Sequence, residues 1–123
     1  MTSFFFIALG GALGALGRYW TGLLFSAFYC GRFPLGTLSV NIAGSFIIGL
    51  TASAIAAGRL GASPWNDLIM LGFCGALTTF STFSMDSFKL LKDGRYWNAG
   101  LNLVLSVMLC LGAAALGLSI FKA

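Results

Sequence analysis

The chain has 123 residues, of which 59% are hydrophobic and 8% charged, whereas soluble domains carry about 25% charged residues. This composition excludes a water-soluble globular surface, and the length allows only four spans of roughly 20 residues with short connections. The net charge of +4 comes from seven scattered Lys and Arg residues, so no basic stripe can follow a nucleic-acid backbone and we expect no nucleic-acid partner. We predict an all-α membrane protein surrounded by membrane lipid.

Four transmembrane helices are predicted, at about residues 3–28, 35–57, 65–88 and 96–121, within one domain over residues 1–123. Residues 30–34 and Gly61 to Pro64 are predicted turns, because Gly and Pro end helices. A charged loop is expected from Lys89 to Arg95. These connections leave no room for a soluble domain.

The third predicted helix carries an unusual number of hydroxyl groups for a membrane span. Gly72 and Gly75 precede the run Thr78-Thr79-Phe80-Ser81-Thr82-Phe83-Ser84, in which five of seven residues are Ser or Thr. Backbone groups freed by a break in a membrane helix must be covered by protein or water. We therefore expect a broken third helix that faces a cavity.

Polar side chains are also predicted inside the first two spans. Arg18 would cost at least roughly 2.5–3.5 kcal/mol on a lipid-facing surface, so it either extends to the membrane surface or lines a wet vestibule that attracts anions. Asn41 either bonds a neighbouring helix, as Asn commonly does in membranes, or offers its amide donors to an anion. The sequence leaves both alternatives open for both residues.

Two phenylalanines interrupt the hydroxyl run of the third span. Phe80 and Phe83 are three residues apart and share one helical face. Core packing is the usual role of such a pair, but a ring edge carries the positive end of the quadrupole and can face a small anion. The break beside them favours this second role.

The neighbouring hydroxyls form rows along the same helix. A single Ser or Thr in a membrane helix usually bonds its own backbone. That five hydroxyls beside a break all do so is less expected, and Ser81, Thr82 and Ser84 are therefore candidate pathway residues. On the fourth span, Asn102 and Ser106 are four apart and form a short polar stripe on one face.

Residue types that are absent argue against several functions. The chain has no His and no Glu, and no acidic residue lies in the middle of a span. A small proton-coupled multidrug exporter would need such a group, and the first span has Arg18 instead. No phosphate-binding loop or catalytic constellation is present, so an enzyme is not expected. A packing or assembly subunit without transport activity remains an alternative, as does the exporter.

The charges of the connections are nearly balanced across the membrane. One side carries Arg59 and Lys122, and the other carries Arg32, Lys89, Lys92 and Arg95. Two cations against four give a weak orientation signal in loops this short. Four helices alone cannot surround a wet pathway and cover their own polar groups, so we predict an antiparallel, dual-topology homodimer.

Three motifs together resemble the Fluc (CrcB) family of bacterial fluoride channels. They are Gly10-Gly11-Ala12-Leu13-Gly14-Ala15 followed by Arg18-Tyr19, then Gly36-Thr37-Leu38-Ser39-Val40-Asn41, and finally Gly72-Phe73-Cys74-Gly75-Ala76-Leu77 with the hydroxyl run to Ser84. The resemblance covers the whole chain. Asp86, Asn102 and Cys110 differ from residues that are common in the family.

The resemblance implies passive, selective export of fluoride from the cytoplasm across the bacterial inner membrane, through two antiparallel pores in a dual-topology dimer. Asn41, Phe80 and Phe83 match the pore residues of the family, and Ser106 matches a pore-lining hydroxyl. With Ser81, Thr82, Ser84 and Arg18 they make up the predicted fluoride pathway. The resemblance also implies a structural Na+ that is not transported, held by the backbone carbonyls of Gly75 and Thr78.

Overall fold

The computed structural model describes residues 2–29, 31 and 33–121, and every regular element within these ranges is helical. The elements are α1 (Thr2–Phe28), α2 (Leu35–Ala56), α3 (Ala62–Trp65), a π-helical segment π1 (Asn66–Cys74), α4 (Gly75–Leu77), α5 (Phe80–Lys92) and α6 (Tyr96–Ile120). The all-α prediction is confirmed for this part of the chain. The predicted turn at residues 30–34 includes Cys30 and Arg32, which lie outside the described residues. Lys122, which was counted with Arg32 among the loop cations on the two sides of the membrane, lies outside them as well.

Three helical stretches of the described chain are long and apolar enough to cross a membrane, namely Leu35–Ala56, Ala62–Lys92 and Tyr96–Ile120. The 27-residue α1 is also long enough, at about 40 Å. Its role as a fourth span stays a prediction.

The third helical stretch is longer than predicted at its C-terminal end. It runs to Lys92 rather than to residue 88, so the predicted loop from Lys89 is wrong, whereas Ser63 before it is extended (φ −106°, ψ 135°), within the predicted turn. Lys89 and Lys92 occupy the last turn of α5, where cations are favoured by the helix dipole. The chain reverses only at Gly94, whose φ of 76° suits glycine, so residues 93–95 alone connect α5 to α6.

The backbone leaves helical geometry between α4 and α5. Thr78 has φ −81° and ψ 156°, and Thr79 has φ −152° and ψ 121°, which are both extended conformations. The Thr79 side chain then caps α5 by accepting a hydrogen bond from the Thr82 amide. Two short helical segments therefore meet end to end at Thr78 and Thr79.

Glycines allow the helix backbones to touch at two interfaces. A Cβ at Gly10 or Gly14 of α1 would meet the carbonyl oxygens of Leu68 and Phe73 in π1. A Cβ at Gly49 of α2 would meet the carbonyl oxygen of Ala114 in α6, and one at Gly117 that of Phe46. Small residues at such contacts are typical of membrane helix pairs. They fix α1 against π1 and α2 against α6.

Candidate functional site

Asn41 closes the gap in the backbone between α4 and α5. Its Oδ1 accepts a hydrogen bond from the Thr79 amide at 2.8 Å, and its Nδ2 donates to the Thr79 carbonyl at 3.1 Å. Both polar groups of the extended residue are thereby satisfied inside the protein, as a membrane interior requires. The side chain thus links α2 to the third helical stretch. The two bonds use one of its two Nδ2 hydrogens, so one N–H donor is left.

A groove beside this junction, which we call the aromatic groove, has a volume of about 400 Å³. It brings together four residues of the predicted pathway, Asn41, Phe80, Phe83 and Ser106. The rings of Phe80 and Phe83 lie 5.6 Å apart between centroids and are tilted by 50°. Phe80 is 77% exposed in a single chain, so the groove is open along the side where this ring lies.

A second cavity of about 650 Å³, which we call the vestibule, lies among α1, α2 and α5. Arg18 and Thr82, both predicted pathway residues, line it. So do Lys89 and two carboxylates, Asp86 and Asp93, which the sequence analysis did not place there. The described lining therefore places cations and carboxylates in the same cavity, among apolar residues.

One of these carboxylates is tied to a neighbouring helix. Thr37 Oγ1 of α2 donates to Asp86 Oδ2 of α5 at 2.9 Å. A hydrogen bond to a charged group is stronger than one between neutral groups. It joins α2 to α5 on the vestibule side of the Thr78–Thr79 junction.

Three hydroxyls of the run form a cluster at the start of α5. Thr79 Oγ1 lies 3.1 Å from both Ser81 Oγ and Thr82 Oγ1, and it accepts from the Thr82 amide at the same distance. Thr78 behaves differently, because its hydroxyl donates to its own helix at the Cys74 carbonyl. Ser84 is exposed and is not among the residues that line either cavity.

The polar stripe predicted on α6 is engaged in a buried network. Asn102 is 1% exposed and donates through Nδ2 to Ser87 Oγ of α5 at 2.9 Å. Ser106 Oγ donates to Asn102 Oδ1 at 3.4 Å. Asn102 therefore joins α5 to α6, while Ser106 at the end of the network also lines the aromatic groove.

Two carbonyls near the junction lose their usual helical partners. In a continuous helix the Thr79 amide would bond the Gly75 carbonyl, and the Thr82 amide the Thr78 carbonyl. Here the first amide bonds Asn41 and the second bonds the Thr79 hydroxyl. These are the carbonyls of the predicted sodium site. Side-chain metal sites are a different matter: within the described ranges no three His, Cys, Asp or Glu residues are grouped to hold a metal.

Sequence reasoning missed several lining residues. Thr79 lines both cavities, and Ser45 lines the aromatic groove with Asn41. Ser45 follows Asn41 by four residues, and this helical spacing could have revealed it. Asp86 likewise follows Thr82 by four residues on α5, so the same spacing could have placed it beside Thr82 in the vestibule.

Comparison with known proteins gives consistent matches over almost the whole chain. The family profile described as "CrcB-like protein, Camphor Resistance (CrcB)" matches residues 5–118. A protein of Vibrio vulnificus named "Fluoride-specific ion channel FluC" is 50% identical over 117 residues, 95% of this chain and 93% of the relative. Proteins of the same name from Photobacterium profundum and Vibrio cholerae are 48% and 46% identical over 112 residues, 91% of this chain and 88% and 89% of the relatives. The matched residues include both cavities.

Proposed function

The chain belongs to the CrcB family, as its motifs predicted, and from this membership we propose that it is a passive channel selective for fluoride. Its relatives are named ion channels, and it is a multi-pass membrane channel rather than an enzyme. The observation that carries the proposal is the aromatic groove, where Asn41, Phe80, Phe83 and Ser106 line one space beside an interrupted helix. We place the protein in the bacterial inner membrane, where it lowers fluoride toxicity by export.

The groove offers neutral donors to an anion. Fluoride is small and strongly hydrated, so a pore must replace its water with close hydrogen bonds while binding weakly enough to release it. The free Nδ2 hydrogen of Asn41, the Ser106 hydroxyl and the ring edges of Phe80 and Phe83 supply such contacts. Thr82 and Arg18 would receive the ion in the vestibule. Ser81 and Ser84 stay predicted pathway residues although they line neither cavity, and Ser81 contacts Thr79.

Transport needs no coupled energy source under this proposal. Fluoride enters cells as neutral HF and is trapped as the anion at the higher internal pH. The membrane potential, negative inside, then drives the anion outward with about 2.3 kcal/mol per 100 mV. The break of the third helix at Thr78–Thr79 is tolerated within the membrane because protein and the water of this route cover the freed backbone groups.

A second copy of the chain would complete the site. The aromatic groove is open beside Phe80, which is 77% exposed in one chain. In the antiparallel homodimer that we propose, the partner covers this opening and each dimer contains two pores. The weak charge bias of the loops supports insertion in both orientations.

The carbonyl oxygens near the junction are suitable ligands for the structural Na+ that the family resemblance implies. The carbonyls of Gly75 and Thr78 lack their helical donors, and Gly75 is exposed on the surface of one chain. Hard cations bind more than two oxygen ligands. The second copy of the chain in the proposed dimer would supply the remaining carbonyls. When bound, the ion would neutralise these carbonyl dipoles and stabilise the junction without being transported.

Fluoride efflux from liposomes tests the proposal. Purified protein is reconstituted into liposomes loaded with fluoride, and efflux is followed with a fluoride electrode while a potassium gradient with valinomycin sets the potential. We expect efflux well above that of protein-free liposomes and no comparable chloride efflux. Equal chloride efflux, or no fluoride efflux, would contradict the proposal.

The same vesicles separate the two alternatives. Uptake of an organic cation driven by a pH gradient would identify a proton-coupled multidrug exporter. A folded protein that moves neither fluoride nor organic cations would identify a packing or assembly subunit.

A further inference from the structure

Among the residues that the structure describes, Thr79 is the only one that lines both cavities. The vestibule and the aromatic groove each include Thr79 in their lining, and no other described residue belongs to both. Its side chain is nearly buried, at 8% exposed. An ion that passes from one cavity to the other therefore passes next to this residue.

The Thr79 hydroxyl has more neighbours than it has hydrogens. A hydroxyl carries one hydrogen and two acceptor positions. The Thr82 amide occupies one acceptor position. When Thr79 donates its hydrogen to Thr82 Oγ1, Ser81 can donate to Thr79, and the hydrogen of the Thr82 hydroxyl is left free for the vestibule that Thr82 lines.

We propose that Thr79 transfers the ion between the two cavities by turning its single hydroxyl hydrogen from Thr82 to the ion. With fluoride in the vestibule, Ser81 donates to Thr79, Thr79 to Thr82, and Thr82 to the ion. With fluoride at the junction, Thr79 donates to the ion and is supported by Ser81 and the Thr82 amide. No covalent bond is made or broken, and the inference rests on the fluoride function proposed above.

The contact distances favour such a turn. The hydroxyl contacts of Thr79 are 3.1 Å long, whereas an O–H···O bond is commonly about 2.7–2.8 Å. A bond from a hydroxyl to an anion is shorter and stronger, so an arriving ion can compete for the hydrogen. Asn41 holds the Thr79 backbone on both sides, and only the O–H bond needs to rotate.

A double-mutant cycle in the liposome assay tests the transfer. Thr79→Val and Thr82→Val each remove a hydroxyl at nearly constant shape, and each should slow fluoride efflux by about tenfold or more, as expected for losing a bond to a charged group. Because both hydroxyls act in one chain of donors, the double variant should be no slower than the slower single variant. Effects that multiply would show independent residues and overturn the proposal.

Two further variants separate transfer from helix capping. Thr82→Val removes the Thr82 hydroxyl but keeps the backbone amide that Thr79 caps. If Thr79 only caps α5, the effects of the Thr79 and Thr82 substitutions on efflux should therefore be independent. Thr79→Asn keeps an oxygen that can cap α5, but its N–H donors are on a different atom and cannot turn about that oxygen as a hydroxyl hydrogen does. If Thr79→Val does not fold, Thr79→Asn takes its place in the cycle. We expect slow efflux from Thr79→Asn and nearly normal efflux from Thr79→Ser.

A matched control checks the effect of Thr→Val itself. Thr21 of α1 donates to its own helix at the Gly17 carbonyl and is not among the lining residues of either cavity. Thr21→Val should leave efflux unchanged. If the unmodified protein moves no fluoride, the proposed function fails; if it does and Thr79→Asn is equally fast, only the transfer by Thr79 fails.

Discussion

At the residue scale, the polar side chains of the third span have distinct tasks although their types are alike. Thr78 bonds its own helix, Thr79 caps the next helix, and Thr82 lines the vestibule. Asn41 supports the junction from α2. The role of each Ser or Thr therefore depends on the helix that it adjoins rather than on its type, since Thr78 ends α4 and Thr79 precedes α5.

The aromatic rings give the first prediction at this scale. Phe80→Ile and Phe83→Ile keep apolar bulk but remove the ring edges proposed to face fluoride. Each should slow fluoride efflux by about tenfold or more while size-exclusion chromatography shows unchanged assembly. Phe5→Ile, at an exposed ring of α1, is the matched control and should transport normally. Full-speed efflux from both pathway variants would remove the rings from the mechanism.

The side-chain amide of Asn41 gives the second prediction at this scale. Asn41→Leu would leave the buried Thr79 amide without a partner, at a cost of about 1–3 kcal/mol, and would also remove the Asn41 hydrogen bond to the Thr79 carbonyl. We expect the free energy of unfolding in detergent to fall by at least about 2 kcal/mol. Asn98→Leu is the control, because Asn98 makes no side-chain hydrogen bond among the described residues. Equal stability of the two variants would contradict the role of Asn41 as the support of the junction.

At the scale of elements, close backbone contact holds the helices together. Lipid is as apolar as the helix surfaces, so packing and hydrogen bonds must supply the attraction between membrane helices. α2 and α6 meet through Gly49 and Gly117, and Ser53 Oγ donates to the Gly117 carbonyl at 2.9 Å. The same two helices carry Asn41 and Ser106, so this interface sets the width of the aromatic groove.

A glycine substitution tests this interface. A Cβ at Gly117 would meet backbone atoms of α2, which cannot move aside as a flexible side chain could. Gly117→Ala should destabilise the protein by about 1–3 kcal/mol, the usual cost of overpacking. Gly112→Ala on the same helix has open space and serves as the control in the same unfolding experiment. A stable Gly117→Ala variant would contradict the described contact of α2 with α6.

At the scale of the whole molecule, one chain leaves both proposed ion sites open to a partner. Phe80 is exposed beside the aromatic groove, and Gly75 is exposed beside the junction. Large apolar residues of α1 and α6 are also exposed, as expected for surfaces in lipid or against a second copy. An assembly that covers Phe80 and Gly75 together would complete both sites.

Labelling of the connections tests how the copies insert. Single cysteines replace Ala57 or Tyr96, at opposite ends of the spans, in a background without native cysteines. In a dual-topology dimer, an impermeant thiol reagent should label about half of the molecules at each position from either side of the membrane. Labelling of each position from one side alone would show a single orientation.

Local patterns in the sequence were enough to predict the helical class, the approximate spans and the pair of phenylalanines on one face. Hydrophobic run length, turn residues and the 3.6-residue period can all be read from neighbouring positions in the chain. Motif resemblance identified the family, and the family profile and relatives confirmed it.

Which polar groups meet depends instead on how the helices pack. That Asn41 bonds the backbone of Thr79, that Asp86 shares a cavity with Arg18, and that Thr79 borders both cavities are contacts between residues of different helices or segments. The longer α5 likewise depended on where the chain could reverse, at Gly94, rather than on the charges that precede it. Periodicity fixes the face of a helix on which a side chain lies, but the neighbour opposite that face is set by tertiary packing.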